Sequence, residues 1–352
     1  MKKYISLMSV ILLVVALLTG CMGKPVVIQD CTCSAEEITV PTMPNVPVIE
    51  GSVKTGLAVV TTAKGSSATA DEAGKVEFDT IVVAVNVDDN GVIVSCAIDN
   101  IPATVQIDDN GVITSDISAP VITKGEMGAD YGMVAYGNAI AEWDAQVAAL
   151  EGFASGKTVA ELKMGAIDET GKAPAGSDLA SSATIYLGGF VSVIERAVEN
   201  AQYLGADAKD RLHLVTLNKL SSTDEKTGYV QLDADVAAVT VSGEVITSCV
   251  IDSVQAKVEF DATGAIATDL SWEFPSKNEL GEAYGMAAWG GAIAEWNVQA
   301  ASFAAYVTGL TARDVADIAI TETTKPADGT DLSSSVTIAI GGFQALIAKA
   351  MG

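Results

Sequence analysis

Two short segments of the chain gather hydroxyl and carboxylate groups at one spacing. Asp178, Ser181, Ser182 and Thr184 stand in D-L-A-S-S-A-T, and Asp331, Ser334, Ser335 and Thr337 stand in D-L-S-S-S-V-T. Aspartate and serine cap helices well, so one reading is a polar turn that opens a helix. The chemical reading turns on the threonine. Its hydroxyl is a poor nucleophile unless a base or a metal activates it. His213 is the single histidine of the chain and sits in a strand-like run, away from both segments. No catalytic residue and no metal-ligand set is therefore assigned. A third S-S-A-T, within Gly65 to Thr69, lacks the aspartate three residues before its first serine and reads as a loop.

The two segments lie at equivalent places in a long internal repeat. The offset of 153 residues that takes Asp178 to Asp331 also takes Cys96 to Cys249, Glu126 to Glu279, Tyr131-Gly132-Met133 to Tyr284-Gly285-Met286, and Trp143 to Trp296. From Cys96 to the end it runs without a gap. Solenoid units repeat at roughly 20–50 residues, so this length predicts a duplicated globular domain. Each copy, at about 150 residues, is long enough for its own core. The expected division is a signal segment over 1–20, a tether over 21–51, and two separable domains over 52–204 and 205–352, with the boundary near Gly205.

Within a copy, Thr80 to Val87 and Gly91 to Ile98 are rich in Val and Ile and read as strands. Between them Asp88-Asp89-Asn90-Gly91 reads as a hairpin turn, and Asp108-Asp109-Asn110-Gly111 repeats it. Neither continues into the ligand spacing of a calcium loop. Leu212 to Leu217 is expected to start the second sheet. Ile140, Trp143, Val147 and Leu150, and then Ile293, Trp296, Ala300 and Phe303, each mark one helix face. Gly156 and Gly309 close these helices. Gly188-Gly189-Phe190 and Gly341-Gly342-Phe343 precede C-terminal helices. Strands followed by helices predict an α+β class, with two tandem homologous domains, each a sheet packed with helices.

The ends carry a compartment signal. Lys2 and Lys3 precede an apolar stretch from Ile5 to Leu18, too short for a comfortable span, which ends in Leu18-Thr19-Gly20-Cys21. Small residues before a cysteine resemble a bacterial lipobox, which implies that Cys21 is lipid-modified, palmitate included. The protein would then be anchored on the extracellular face of the cell membrane. Pro25, Pro41, Pro44 and Pro47 mark the tether. Cys31 and Cys33 within it are compatible with a second lipid site, an intermolecular disulfide or free thiols. Cys96 and Cys249, in apolar strand-like runs, read as small buried hydrophobes. The chain has 45 acidic and 20 basic residues; without Lys2 and Lys3 the balance is 45 to 18, a net of −27. Such a surface argues against nucleic acid and anionic lipid as partners.

The D-x-x-S-S-x-T segments resemble the flavinylation signature of the FMN-binding domain family. The wider chain is similar to two-domain lipoproteins of Firmicutes that serve extracellular electron transfer. The likeness includes E-L-G-E-A-Y-G-M at Glu279 to Met286, A-E-W at Ala294 to Trp296 and I-G-G-F at Ile340 to Phe343. It implies two FMN groups, each joined by a phosphoester to a threonine, with Thr184 and Thr337 as acceptors and a separate flavin transferase as the enzyme. Asp178 and Asp331 would act as recognition or metal-contact residues for that enzyme, or as caps, with Ser181, Ser182, Ser334 and Ser335 completing the two signatures. Glu126, Tyr131, Met133, Glu279, Tyr284 and Met286 would lie around the cofactor, where the glycines let a ligand approach closely. A redox carrier is implied more than a substrate-specific enzyme. Its electrons would come from a quinol-linked membrane dehydrogenase and leave to ferric iron or soluble shuttles. The competing expectation is a flavin-free surface lipoprotein that binds or adheres.

Overall fold

A computed structural model describes residues 51–223 and 228–352. Cys21, Cys31, Cys33, the signal segment and all of the tether but Gly51 lie outside the described residues.

The strands are longer than their most apolar stretches. β1 (Ser52–Ser66), β2 (Gly74–Val87) and β3 (Ile93–Ile107) form an antiparallel meander. Val82, Val83, Ala84 and Val85 are all fully buried, so both faces of the sheet are covered. That is why the sequence here is a continuous apolar run instead of an alternation. The Asp88 turn closes β2 to β3: Asp88 Oδ1 accepts the N–H groups of Asn90 and Val92 at 2.8 Å each, and Gly91 has φ +76°. Among the described residues, no cluster of three or more His, Cys, Asp or Glu side chains could hold a metal ion.

Helices follow in the first repeat: α1 (Lys124–Met127), α2 (Met133–Gly137), α3 (Trp143–Ala154), α4 (Val159–Ala166) and α5 (Gly188–Glu199). The chain then returns as β4 (Gln202–Asp207), which pairs with β1 and completes a sheet of order β3-β2-β1-β4. The second repeat builds β5 (Arg211–Ser222), β6 (Gly228–Ser242) and β7 (Val245–Phe260) into a three-stranded antiparallel sheet. Its helices are α6 (Lys277–Leu280), α7 (Trp296–Val307), α8 (Ala312–Ala316) and α9 (Gly341–Met351). Fold class is thus α+β: three strands and then helices are met twice, but α2 and β4 of the first repeat have no counterpart in the second.

The layers are helix, sheet, sheet, helix. On the outer side of the first sheet, Trp143, Leu150, Phe190 and Ile194 pack on Val83, Val85 and Ile98. On the outer side of the second, Trp296, Phe303, Phe343 and Ile347 pack on Ala237, Val239 and Ile251. The Trp143–Phe190 and Trp296–Phe343 rings each meet edge-on at 5.9 Å. The middle core belongs to both repeats: Leu57, Phe78, Val82 and Val105 of one sheet face Leu232, Val236, Val254 and Phe260 of the other.

This shared core corrects two expectations. The repeats are not separate bodies, since all described residues fall in one compact unit. Gly205 is no linker: it lies inside β4 with φ +116°, where a Cβ would come within 2.6 Å of the Thr247 carbonyl oxygen of the second repeat. Reciprocal ion pairs add to the junction. Arg196 of α5 reaches Glu273 at 2.8 Å and Glu279 at 3.7 Å, while Lys349 of α9, 153 residues further on, pairs with Glu126. A third correction concerns the helix faces. Trp143, Val147 and Leu150 are buried as expected, but α3 starts at Trp143, and Ile140 lies before it, exposed; Ile293 stands likewise before α7.

Candidate functional site

The D-x-x-S-S-x-T segments occupy the same place in both repeats. Each forms a single 3-10 turn, Leu179–Ser181 and Leu332–Ser334, with Asp178 or Asp331 at its start. Leu179 and Ala183, and then Leu332 and Val336, are buried and plug the segment into the helix-side core. Alanine and valine both serve as the second plug because the position needs only a small apolar side chain. The polar positions face outward: Asp178, Ser181, Ser182 and Thr184 are exposed, as are Asp331, Ser334 and Ser335, with Thr337 half-buried. Ser181 Oγ donates to the Asp178 carbonyl at 2.6 Å and Ser334 Oγ to the Asp331 carbonyl at 2.8 Å. Neither aspartate side chain makes a capping bond, so the capping role is not filled by Asp178 or Asp331.

Each threonine is tied to a buried glutamine. Thr184 donates to Gln146 Oε1 from its backbone N–H at 2.8 Å and from its hydroxyl at 3.2 Å. Thr337 donates to Gln299 Oε1 at the same two distances. The glutamines are fully buried, and their amide nitrogens donate to the Ala141 and Ala294 carbonyls at 2.8 Å. A buried amide in apolar surroundings is costly unless bonded, so these bonds fix the threonine backbone firmly. Gln146 and Gln299 were not among the sequence candidates. The signal was available, because A-E-W-x-x-Q stands at Ala141 to Gln146 and again at Ala294 to Gln299.

The glutamate of that pattern positions the Tyr-Gly-Met turn. Glu142 accepts the N–H groups of Met133 at 2.8 Å and Val134 at 3.0 Å; Glu295 accepts those of Met286 at 2.8 Å and Ala287 at 2.9 Å. Gly132 and Gly285 have φ +77° and +80°, a conformation that favours glycine. Tyr131 and Met133 are thereby set near Ile185 and Tyr186, which directly follow Thr184.

A cavity of about 470 Å³ lies there. Tyr131, Met133, Trp143, Ile185, Tyr186 and Phe190 give it apolar and aromatic walls; Asp79, Ile81 and Asn100 line it from the sheet. Lys124 also lines it, with Nζ 5.4 Å from the Tyr131 ring centre and 5.8 Å from that of Trp143. Asn100 is buried and donates to Asp79 Oδ1 at 2.7 Å, but its own Oδ1 has no partner among the described residues. No motif residue lines the 470 Å³ cavity, and none lines a larger cavity of about 540 Å³ between β1, β7 and α7.

The second repeat keeps Lys277 near Tyr284 and Trp296, at 5.3 and 4.8 Å from the ring centres. Burial pulls the Lys277 pKa down, against the pull of Asp235, Asp233 and Asp252. The Tyr284 hydroxyl donates to Gln255 Oε1 at 2.9 Å, and its pKa is raised by burial and then by Asp233 and Asp235.

Glu126 and Glu279 do other work. Each completes a capping box, accepting the N–H of Thr123 at 2.8 Å or of Ser276 at 2.9 Å. Both also face the ion pairs between repeats, and neither lines the cavity beside Thr184. Cys96 and Cys249 are free thiols; burial pushes Cys249 up to about 12, so the thiolate needed for redox exchange is suppressed. His213 stands in β5, its pKa lowered by burial and by Arg211.

Comparison with protein-family models, with curated proteins and with solved structures gives no match. Among the described residues no helix is long and apolar enough to cross a membrane.

Proposed function

We propose that this chain is a membrane-anchored extracellular electron carrier with FMN joined to Thr184 and Thr337 by phosphoester bonds. One observation carries the proposal: Thr184, tied to a buried glutamine, directly precedes Ile185 and Tyr186 in the wall of an aromatic-lined cavity, and Thr337 is tied to an equivalent buried glutamine. The cavity volume, about 470 Å³, falls within the ~300–1,000 Å³ range of ligand pockets. Its donor set suits a flavin. Trp143, Phe190 and Tyr131 supply apolar cover, the unpaired Asn100 Oδ1 awaits an N–H donor, and Lys124 brings a cation beside the rings.

When bound, the flavin supplies the redox chemistry, and the chain supplies position and electrostatics. Gln146 takes the Thr184 hydroxyl proton into a hydrogen bond but, as an amide, cannot remove it. Activation of the hydroxyl therefore falls to a flavin transferase that brings its own base or metal. The exposed Asp178 and Asp331 carboxylates offer that enzyme a contact beside each acceptor. A covalent bond keeps the cofactor from dilution outside the cell. Lipid at Cys21 would hold the carrier near a quinol-linked dehydrogenase, and exposed sites would pass electrons to ferric iron or soluble shuttles. Intact mass and visible absorbance of the chain co-expressed with a flavin transferase test the proposal: two added FMN groups support it, and a colourless chain of unmodified mass refutes it.

A further inference from the structure

The two candidate sites share Tyr131/Tyr284, Trp143/Trp296 and Phe190/Phe343, but Tyr186 of the first is Ala339 in the second, and they differ again on the sheet side. The turn between β6 and β7 is one residue shorter than that between β2 and β3: Val241 pairs with Ile246 where Val87 pairs with Ile93. Before this turn the repeats therefore correspond at an offset of 154, which sets Asp79 against Asp233 and Ile81 against Asp235. The packing agrees. Ile81 Cδ1 lies 3.3 Å from where a Cβ on Gly189 would stand, and Asp235 Oδ2 lies 3.4 Å from the same point on Gly342. After the turn, Asn100 corresponds to Ser253. One apolar group of the first site is thus a carboxylate in the second.

We infer that the two threonine sites are electrochemically unequal, a flavin on Thr337 being reduced at a lower potential than one on Thr184 because Asp235 stands where Ile81 stands. The inference rests on the reading of both threonines as flavin acceptors. Reducing a flavin with two electrons and one proton from solvent adds one negative charge, which a nearby carboxylate opposes. The two charged residues that line the first cavity, Lys124 and Asp79, have charged counterparts in Lys277 and Asp233. Lys124 and Lys277 stand over equivalent rings. Asp79 is bonded by Asn100, and Asp233 by Gln231 at 2.7 Å and Gln255 at 3.0 Å. Lys219, opposite Asp233 across the strands, is exposed and screened by solvent. Asp235, half-buried beside Gly342, is the charge left over. The pair forms a graded relay, with electrons favouring Thr184 at equilibrium.

The test uses the full chain co-expressed with a flavin transferase, in the Thr184→Ala and Thr337→Ala forms, each with one flavin. Spectroelectrochemical titration should place the midpoint of the flavin on Thr337 below that of the flavin on Thr184. Asp235→Ile should raise the lower midpoint, and the reciprocal Ile81→Asp should lower the higher one, so a folding failure in one variant leaves the other as evidence. Equal midpoints, the reverse order, or no shift in either swap would overturn the inference and leave the flavoprotein reading standing. A chain that never acquires flavin overturns both.

Discussion

Gln146 and Thr184 are joined by two donors on one acceptor, the threonine N–H at 2.8 Å and its hydroxyl at 3.2 Å from a single buried carbonyl oxygen. The geometry couples the Thr184 hydroxyl to the hydrophobic core through one side chain. Gln146→Ala should strand the Thr184 N–H and open a cavity under the motif. We expect a loss of about 1–3 kcal/mol in urea unfolding. Flavin at Thr184 should fall sharply while Thr337 keeps its own, read by peptide-resolved mass. Equal loading at both threonines would deny the glutamine its positioning role.

The shared core predicts that the halves are not independent. A chain cut between residues 204 and 205 should bare Leu57, Phe78 and Val82 on one piece and Leu232, Val236 and Phe260 on the other. Each piece alone should aggregate or give a collapsed amide spectrum, and mixing them should restore dispersion. A well-dispersed monomeric spectrum from either half would contradict this.

Two buried acids predict a pH dependence of stability. Burial, with Asp99 nearby, pushes Glu151 up to about 7, and burial pushes Asp252 up to about 6. A folded-state pKa above the unfolded value means stability fully present below the unfolded pKa and lost as pH rises through the folded one. The unfolding free energy from urea titrations should therefore fall between pH 5 and pH 8, by on the order of 2 kcal/mol from Glu151. Glu151→Gln should flatten the profile. A profile that is unchanged in the variant, or that rises over this window, would count against the burial of that carboxyl.

Glu126 and Glu279 separate a structural role from a cofactor role. Glu126→Gln and Glu279→Gln should cost about 1 kcal/mol or less, since a capping box tolerates glutamine and half-exposed ion pairs contribute little. Flavin loading should stay at two. Loss of flavin from either variant would return these glutamates to the cofactor site.

Much of the fold was legible because burial leaves a mark in sequence. The Val and Ile runs of β2 and β3, the Asx turn at Asp88, and the spacing of Trp143, Val147 and Leu150 all read correctly. What covers a doubly buried strand is not written in it. Val82 and Val83 look alike, yet one faces the other repeat and one faces the helices. The shared middle layer was therefore hidden, and so was β4, a six-residue strand with a glycine inside it and no β-branched side chain. Ile140 and Ile293 kept the helical spacing but fell before the helix start, because Glu142 and Glu295 turn their carboxylates back to the preceding Tyr-Gly-Met turn. At the site, the hydroxyls and Tyr131 with Met133 stood out by repetition. Gln146 repeats as Gln299, yet a glutamine on an apolar helix face shows no purpose until its carbonyl is seen to meet Thr184.

The central claim is covalent flavin on two threonines, and the intact mass of the full chain co-expressed with a flavin transferase tests it most directly. The account predicts two added FMN groups on the wild type. Thr184→Ala should remove one and Thr337→Ala the other, and the double variant should be colourless and folded, while Thr69→Ala, at the loop whose N–H bonds to the Glu72 carbonyl, should change nothing. Flavin that survives denaturation in the double alanine variant, or a wild type that never gains mass, would contradict it.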